Sequence, residues 1–405
     1  MQSLDLDAVR AEFPGLSRGW TLMDNAGGSQ ILRGVVARMT EFLFERNVQI
    51  GGTYAVSQAA ADALAQGRYA LAEIMNAARP EEIVFGPSTT VLLQNLARAM
   101  RHTFAPGDEI IVHMGDHESN IGPWMGLEEF GVTIRRWQPA ADGTPLDMDA
   151  LDALLSERTR LVAVTHASNI LGWVNDVAEV GRRVHAAGAR MVVDGVAYAA
   201  HRAIDVQALG ADFYVFSLYK TYGPHYAAMY GRYDLLEELE TLSHYFYGRD
   251  RVPGKLEPGN PSYECAYSAV AIRDYLAGIG GAPGRAGIVA GFDAIRRHED
   301  GLTGRLLDWA ASRNDVHVIG PTSNPDSRRL PTLALRVSGK DSDALCRIMD
   351  QDRIAVRHGD FHSRRLVETL GETGHGGLLR LSLVHYNTPQ EVEAFIAGMS
   401  KAIEG

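Results

Sequence analysis

Five short apolar runs, mostly separated by stretches of helical periodicity, restrict the fold of this 405-residue chain more than any other feature. They are Glu109-Ile-Ile-Val-His, Thr133-Ile-Arg-Arg-Trp, Arg160-Leu-Val-Ala-Val-Thr, Arg190-Met-Val-Val-Asp and Phe213-Tyr-Val-Phe-Ser. Strands that alternate with helices build a largely parallel sheet covered on both faces. An α/β protein is therefore expected. In such sheets ligands sit beyond the carboxyl ends of the strands, which here lead to His117, Asn169, Asp194 and the segment Ser217-Leu-Tyr-Lys220.

The flanking sequence supplies the rest of a first, larger domain over 21–262. Apolar residues recur at three and four positions in Arg33 to Glu45 and in Gln58 to Asn76, which predicts two helices. Glu82-Ile-Val-Phe-Gly reads as a strand, and Pro87-Ser-Thr-Thr reads as a helix start. Leu242 to Asn260 reads as a long loop, and loops of that length in compact domains are usually functional. A helical region over 263–299 is expected to connect to a smaller α/β domain over 300–405. There Val316-His-Val-Ile-Gly, Leu333-Ala-Leu-Arg-Val and Leu379-Arg-Leu-Ser-Leu read as strands, with helices at Asp341 to Gln351 and Pro389 to Ile403. Residues 1–20 read as a short helix and a loop, an arm expected to pack with the small domain.

Composition excludes several function classes. A formal net charge of −11 and the lack of a basic run argue against a nucleic-acid surface. No window holds eighteen uncharged apolar residues, and the start lacks a basic-then-apolar leader, so no membrane span is expected and the cytoplasm is the expected location. Cys265 and Cys346 have no ligand-like spacing with histidines, so neither a metal site nor a disulfide framework is expected.

Lys220 is the unusual residue. Lysine and arginine total 39, yet only Lys220, Lys255, Lys340 and Lys401 are lysines, and Lys220 directly follows an apolar strand. An ammonium there loses hydration, its pKa falls, and a neutral amine is the nucleophile that forms a Schiff base with a carbonyl cofactor. Alone, such a lysine is more often one that snorkels to water. Its neighbours change the reading. A cofactor with an aldehyde, a phosphate and a pyridine ring needs a carboxylate for the ring nitrogen, a flat group for its face and hydroxyls for its phosphate. Asp194 at a strand end, His117, and Thr89, Thr90 and Ser217 are the candidates. Each has an ordinary alternative: a capping Asp, a loop His, a helix N-cap.

The set in its order is more specific than its members. Lys220 comes 26 residues after Asp194, which Gly195 follows. Val164-Thr-His-Ala-Ser-Asn169-Ile-Leu-Gly and Asp116-His117-Glu-Ser-Asn120-Ile-Gly-Pro-Trp124 precede them. With Asp24-Asn25-Ala26-Gly27, Thr89-Thr90, Glu257-Pro258-Gly259-Asn260-Pro261, Arg357-His-Gly359 and Leu379-Arg380-Leu-Ser-Leu-Val-His-Tyr386-Asn387-Thr388, the sequence resembles the class V aminotransferase family, in its cysteine desulfurase-like branch. The resemblance implies fold type I, a large domain with a mostly parallel, seven-stranded sheet between helices, plus a smaller C-terminal domain. It implies pyridoxal 5′-phosphate as cofactor and an amino acid as substrate.

Roles follow from the same resemblance. Lys220 would carry the cofactor and, once displaced by substrate in an external aldimine, move the α-proton. Asp194 would hold the pyridine nitrogen, His117 would lie over the ring, and Asn169 would sit near the phenolic oxygen and the substrate carboxylate. Arg380 would clamp that carboxylate, with Ala26 and Arg357 beside it, and Tyr219 would border the cofactor. Thr89, Thr90 and Ser217 would take the phosphate, joined by Gly259 and Asn260 of a second subunit in a homodimer.

Three positions depart from the family pattern. His362 stands where desulfurases carry a mobile cysteine, and imidazole cannot form a persulfide. Tyr219 replaces the histidine before the lysine, and Ala197 replaces a glutamine, so that Tyr198 or Tyr219 is left to supply that hydrogen bond. His362 is thereby a candidate for substrate choice or proton transfer. Transamination, β-elimination or Cα-proton chemistry on a small α-amino acid is the expectation. Desulfuration onto an external acceptor, epimerisation of the isopenicillin N epimerase type, and an inactive binding protein are the alternatives.

Overall fold

A computed structural model describes residues 4–404 of the chain. Its strands are β1 (Thr21–Leu22), β2 (Ile83–Gly86), β3 (Glu109–His113), β4 (Thr133–Trp137), β5 (Thr159–Thr165), β6 (Arg190–Asp194), β7 (Phe213–Ser217), β8 (Ala227–Gly231), β9 (Val316–Val318), β10 (Thr332–Val337), β11 (Ile354–Ala355), β12 (Arg357–Gly359) and β13 (Leu378–Ser382). Seven of them form one sheet in the order β2-β8-β7-β6-β5-β3-β4. The run from β7 to β4 is parallel, and β8 joins antiparallel between β2 and β7.

Alternation along the strands accounts for the layers. Val162, Val164, Met191, Val193, Tyr214 and Phe216 enter one buried cluster, with the long helices Ala55–Met75, Tyr263–Gly280 and Gly284–Ala311. Leu161, Ala163, Val192, Phe213 and Val215 enter another, under the helix Thr89–Met100. A sheet apolar on both faces needs cover on both faces. The five strands read from the sequence are the parallel ones. β8 escapes that reading because Ala-Ala-Met-Tyr-Gly carries no β-branched residue, and its pairing on both edges makes it a strand.

A second, four-stranded antiparallel sheet, β12-β13-β10-β9, holds its own core of Leu333, Leu335, Leu379, Leu381 and Phe395. The helix Gly284–Ala311 runs without a break through residue 300, where the sequence suggested a change of domain. No proline interrupts it, Gly301 and Gly304 face open space, and Leu302, Leu306 and Leu307 enter the small core. The N-terminal arm lodges Phe13 against Tyr222, Tyr275, His385 and Tyr386, and Arg10 reaches Glu391 of the last helix at 3.0 Å. No helix among the described residues is long and apolar enough to cross a membrane.

Candidate active site

β3 is flanked by β4 and β5, so the strand order reverses at the β3/β5 gap, the position where open α/β sheets form a crevice. One cavity beyond the strand ends gathers Thr89, Thr90, His117, Asn169, Asp194, Ser217, Tyr219 and Lys220. Those eight came from the sequence. A larger cleft of about 970 Å³ lies under the N-terminal helix, but no lysine lines it.

Lys220 closes a single turn, Leu218–Lys220, that follows β7 directly. Its Nζ has no hydrogen-bond acceptor among the described residues, and burial, aided by the Arg380 guanidinium, lowers its pKa to about 8 against the pull of Asp194 and Asp24. Lys220 keeps some exposed surface because it borders the cavity, while protein surrounds the amine itself. Lys255 differs. It is fully buried outside the cavity, and its Nζ donates to the Glu237 and Leu239 carbonyls at 2.9 Å each.

Asp194 is 3% exposed at the end of β6. Its Oδ1 accepts the Val196 N–H at 2.9 Å, and no group among the described residues donates to Oδ2. Burial raises its pKa to about 6, and nearby Asp116 adds to the rise. A carboxylate so placed calls for a cationic N–H partner. His117 has the opposite setting. Its Nδ1 accepts from the Ser119 N–H at 3.1 Å and lies 2.7 Å from Ser119 Oγ, so the ring proton belongs on Nε2. Burial first, then Lys220, His362 and Arg380, lower its pKa to about 4, and the ring is neutral at pH 7.

The helix Thr89–Met100 starts at the cavity with Ser88 as its cap, Ser88 Oγ accepting from Val91 N. The N–H groups of Thr89 and Thr90 have no acceptor among the described residues, as expected of a first turn. Thr89 Oγ1 and Ser217 Oγ lie 2.6 Å apart. Unpaired N–H groups at a helix start, with hydroxyls beside them, suit a phosphate. The donor set therefore fits pyridoxal phosphate: a depressed lysine, a carboxylate oxygen without a donor, a neutral ring and a phosphate-ready turn.

Arg380, 2% exposed, projects from β13. Its Nη1 donates to Asn169 O at 3.1 Å and its Nη2 to Asp24 Oδ1 at 2.8 Å, while Nε is buried without a partner. Arg357 lies opposite Arg380 in the β12/β13 register and reaches the other Asp24 oxygen at 3.5 Å. Ala26, two residues beyond Asp24, donates its N–H to Ser382 Oγ at 2.8 Å. The sequence reading gave Asp24 no role. Its partners Arg357 and Arg380 lie more than three hundred positions further along the chain, so nothing local marked it.

The loop after β12 is fixed from several sides. Asn169 Nδ2 donates to Phe361 O at 3.0 Å, Ser363 Oγ donates to Asn169 Oδ1 at 2.9 Å, and Glu118 N donates to His362 O at 2.8 Å. Phe361 and His362 both have left-handed φ, 51° and 59°, a costly conformation for side chains of this size. Phe361 lies under the Arg380 guanidinium at 4.0 Å, and the His362 ring sits 5.3 Å from that of His117. Asn169 is thus engaged with the loop as well as lining the cavity. Of the two tyrosines considered for the missing hydrogen bond, Tyr219 lines the cavity, whereas Tyr198 stacks on His166 at 3.6 Å. Neither Cys265 nor Cys346 lines it. Asn260 is exposed with φ 67° and lies outside this chain's cavity.

The family model "Aminotransferase class-V" matches residues 21–395. The chain is 39% identical to the aminotransferase-like protein FGM3 of Gibberella zeae, over 99% of each. It is 32% identical to the cysteine desulfurase-like protein ustD of Aspergillus flavus, over 99% of this chain and 91% of the relative. The apo structure of a cysteine desulfurase from Thermococcus onnurineus superposes with a TM-score of 0.90 at 26% identity, covering 100% and 99% of the two chains. Sequence and fold agree over the whole length: the chain belongs to the class V aminotransferase family, pyridoxal 5′-phosphate-dependent enzymes of fold type I.

Proposed function

We propose that this cavity binds pyridoxal phosphate on Lys220 and acts at the Cα of an α-amino acid by transamination, β-elimination or Cα-proton chemistry. The observation that carries the reading is the meeting of a lysine depressed to about 8, an Asp194 oxygen without a donor and an arginine with a free, buried Nε in one place. When bound, the cofactor supplies an electron sink that weakens a bond at Cα. Asp194 Oδ2 would keep the cofactor's ring nitrogen protonated, and the neutral His117 ring would help to hold the cofactor in the cavity. Thr89, Thr90 and Ser217 hold the phosphate. Arg380 takes the substrate carboxylate through its planar fork and so fixes which Cα bond stands ready to break. Lys220, free once substrate has entered, accepts the Cα proton and returns it.

His362 supports a reaction without a persulfide, because it occupies the pinned loop and no cysteine lines the cavity. The cysteine desulfurase relatives support a second reading, release of sulfur to an external thiol. A homodimer is part of the proposal. Glu257 anchors its loop to β2 through Arg68 and the Phe85 N–H, leaving Asn260 exposed for a neighbouring site. Phe44, Tyr245 and Phe246, 86%, 96% and 66% exposed, supply apolar surface for a partner to cover.

Single turnover with the twenty amino acids, in both enantiomers, tests the proposal. Pyridoxamine formation marks transamination, and pyruvate with ammonia marks β-elimination. Sulfur appearing on an added thiol would favour the second reading, and an unchanged cofactor spectrum with every amino acid would refute both.

A further inference from the structure

Beside the cofactor cavity a groove of about 610 Å³ leads away from it, sharing Thr90, His117 and Ser119 with it and passing His362. One wall is a single stripe of the helix Thr89–Met100 and the turn after it: Thr90, Gln94, Arg98 and Arg101. At 1.5 Å per residue, the two arginines lie about 12 and 16 Å along the stripe from Thr90. The facing wall, from Gly122 to Phe130, is formed by two short helical segments with small or apolar residues toward the groove.

The far end is basic. Neither Arg98 nor Arg101 pairs with a carboxylate among the described residues, and the Arg101 guanidinium carbon lies over the Phe130 ring, 4.7 Å from its centre. Glu118, the carboxylate on the groove wall, is already neutralised by Arg365 through contacts of 3.0 and 3.1 Å. Helix-dipole compensation accounts for one cation in the last turn, but not for a second turned into the same groove in a chain of net charge −11.

We infer that the groove binds the side chain of the substrate, and that this substrate is an α-amino acid whose side chain ends in an anionic group. This rests on the reading of the cavity as an amino-acid site. The α-carboxylate goes to Arg380, the chain passes His362, its methylenes lie between Ala97 and Leu127, and its terminal charge reaches Arg98 or Arg101.

Calorimetric dissociation constants test the inference on the cofactor-loaded enzyme. The ligands are alanine, aspartate, glutamate, the longer ω-carboxy homologues up to α-aminosuberate, and norleucine as a neutral chain. The wild type should bind the best long diacid at least tenfold more tightly than aspartate or norleucine. Arg98→Gln/Arg101→Gln should abolish that preference and leave alanine unchanged. Gly126 borders the groove with open space around its Cβ direction, so Gly126→Leu should fold, obstruct the long chains and spare alanine. Equal affinity for neutral and anionic chains, or a length preference that survives all three substitutions, would overturn the inference while leaving the functional reading intact. Failure of every amino acid, alanine included, would overturn both.

Discussion

Asp194 Oδ1 is spent on the Val196 N–H, so the electronic role falls to Oδ2. Asp194→Asn keeps the shape and loses the charge that holds a ring nitrogen protonated. It should still take up cofactor, more weakly, while exchange of the substrate α-proton with solvent, followed by NMR, slows by at least about a hundredfold. Wild-type exchange would remove Asp194 from the mechanism. Arg380 carries a different expectation, because the α-carboxylate is common to all amino acids. Arg380→Ala should raise KM for every amino acid by a similar factor, and Arg380→Lys should not restore it, since a point charge cannot copy the fork. Selective loss for one side chain would contradict the clamp. At this scale the strand-end residues were legible, because each lies within a few positions of an apolar run. Asp24 was not, since its meaning lies in partners that only the folded backbone brings together, Arg357 and Arg380; Ser119 sits two positions from His117, but its role depends on which way the His117 ring turns.

The segment Asp360–Ser363 shows the same division for elements. The resemblance pointed to it as the stretch where desulfurases carry their cysteine, with His362 in that place, but could not tell that it is fixed, because Asn169, which pins it, comes nearly two hundred positions earlier. Ser363→Ala removes one pin, the hydrogen bond to Asn169 Oδ1. It should cost about 1 kcal/mol of stability and raise amide exchange at Phe361 to Ser363, with slower Cα chemistry; protected amides would show that the remaining contacts hold the loop alone. Periodicity found the five parallel strands and the helices that cover them: β3, β5, β6 and β7 are buried on both faces and read as apolar runs, and β4, with Arg135 and Arg136, is the edge of the sheet. It missed β8, an Ala-rich strand formed by its two neighbours, and it stopped the helix Gly284–Ala311 short because the helix changes from one core to another along its length.

At the scale of the molecule, burial keeps His117, with a pKa of about 4, and His166 and His385, at about 3, neutral at pH 7. An unfolded imidazole takes its proton near pH 6.5, so between about pH 6.5 and 4 the unfolded chain binds protons that the native one refuses. Stability therefore falls with falling pH in that window, by up to about 1.4 kcal/mol per pH unit for each histidine. Asp194, raised to about 6, acts in the opposite sense, favouring the native state below that pH, but as one group against three. Denaturant midpoints at pH 7 and pH 5 should show the net loss, and equal midpoints would contradict it. The dimer is testable by mixing two defective subunits, Lys220→Ala and Asn260→Ala. If the Asn260 loop serves the neighbouring cavity, the mixed dimer regains one site with full cofactor affinity, whereas a loop serving its own cavity restores none. The expectations that concern catalysis and cofactor affinity presume that Lys220 is where the cofactor is joined. Borohydride reduction of the cofactor-loaded protein, followed by peptide mapping, measures this directly: the account predicts one pyridoxyl label, on Lys220, and a label on Lys255 or none on any lysine would contradict it.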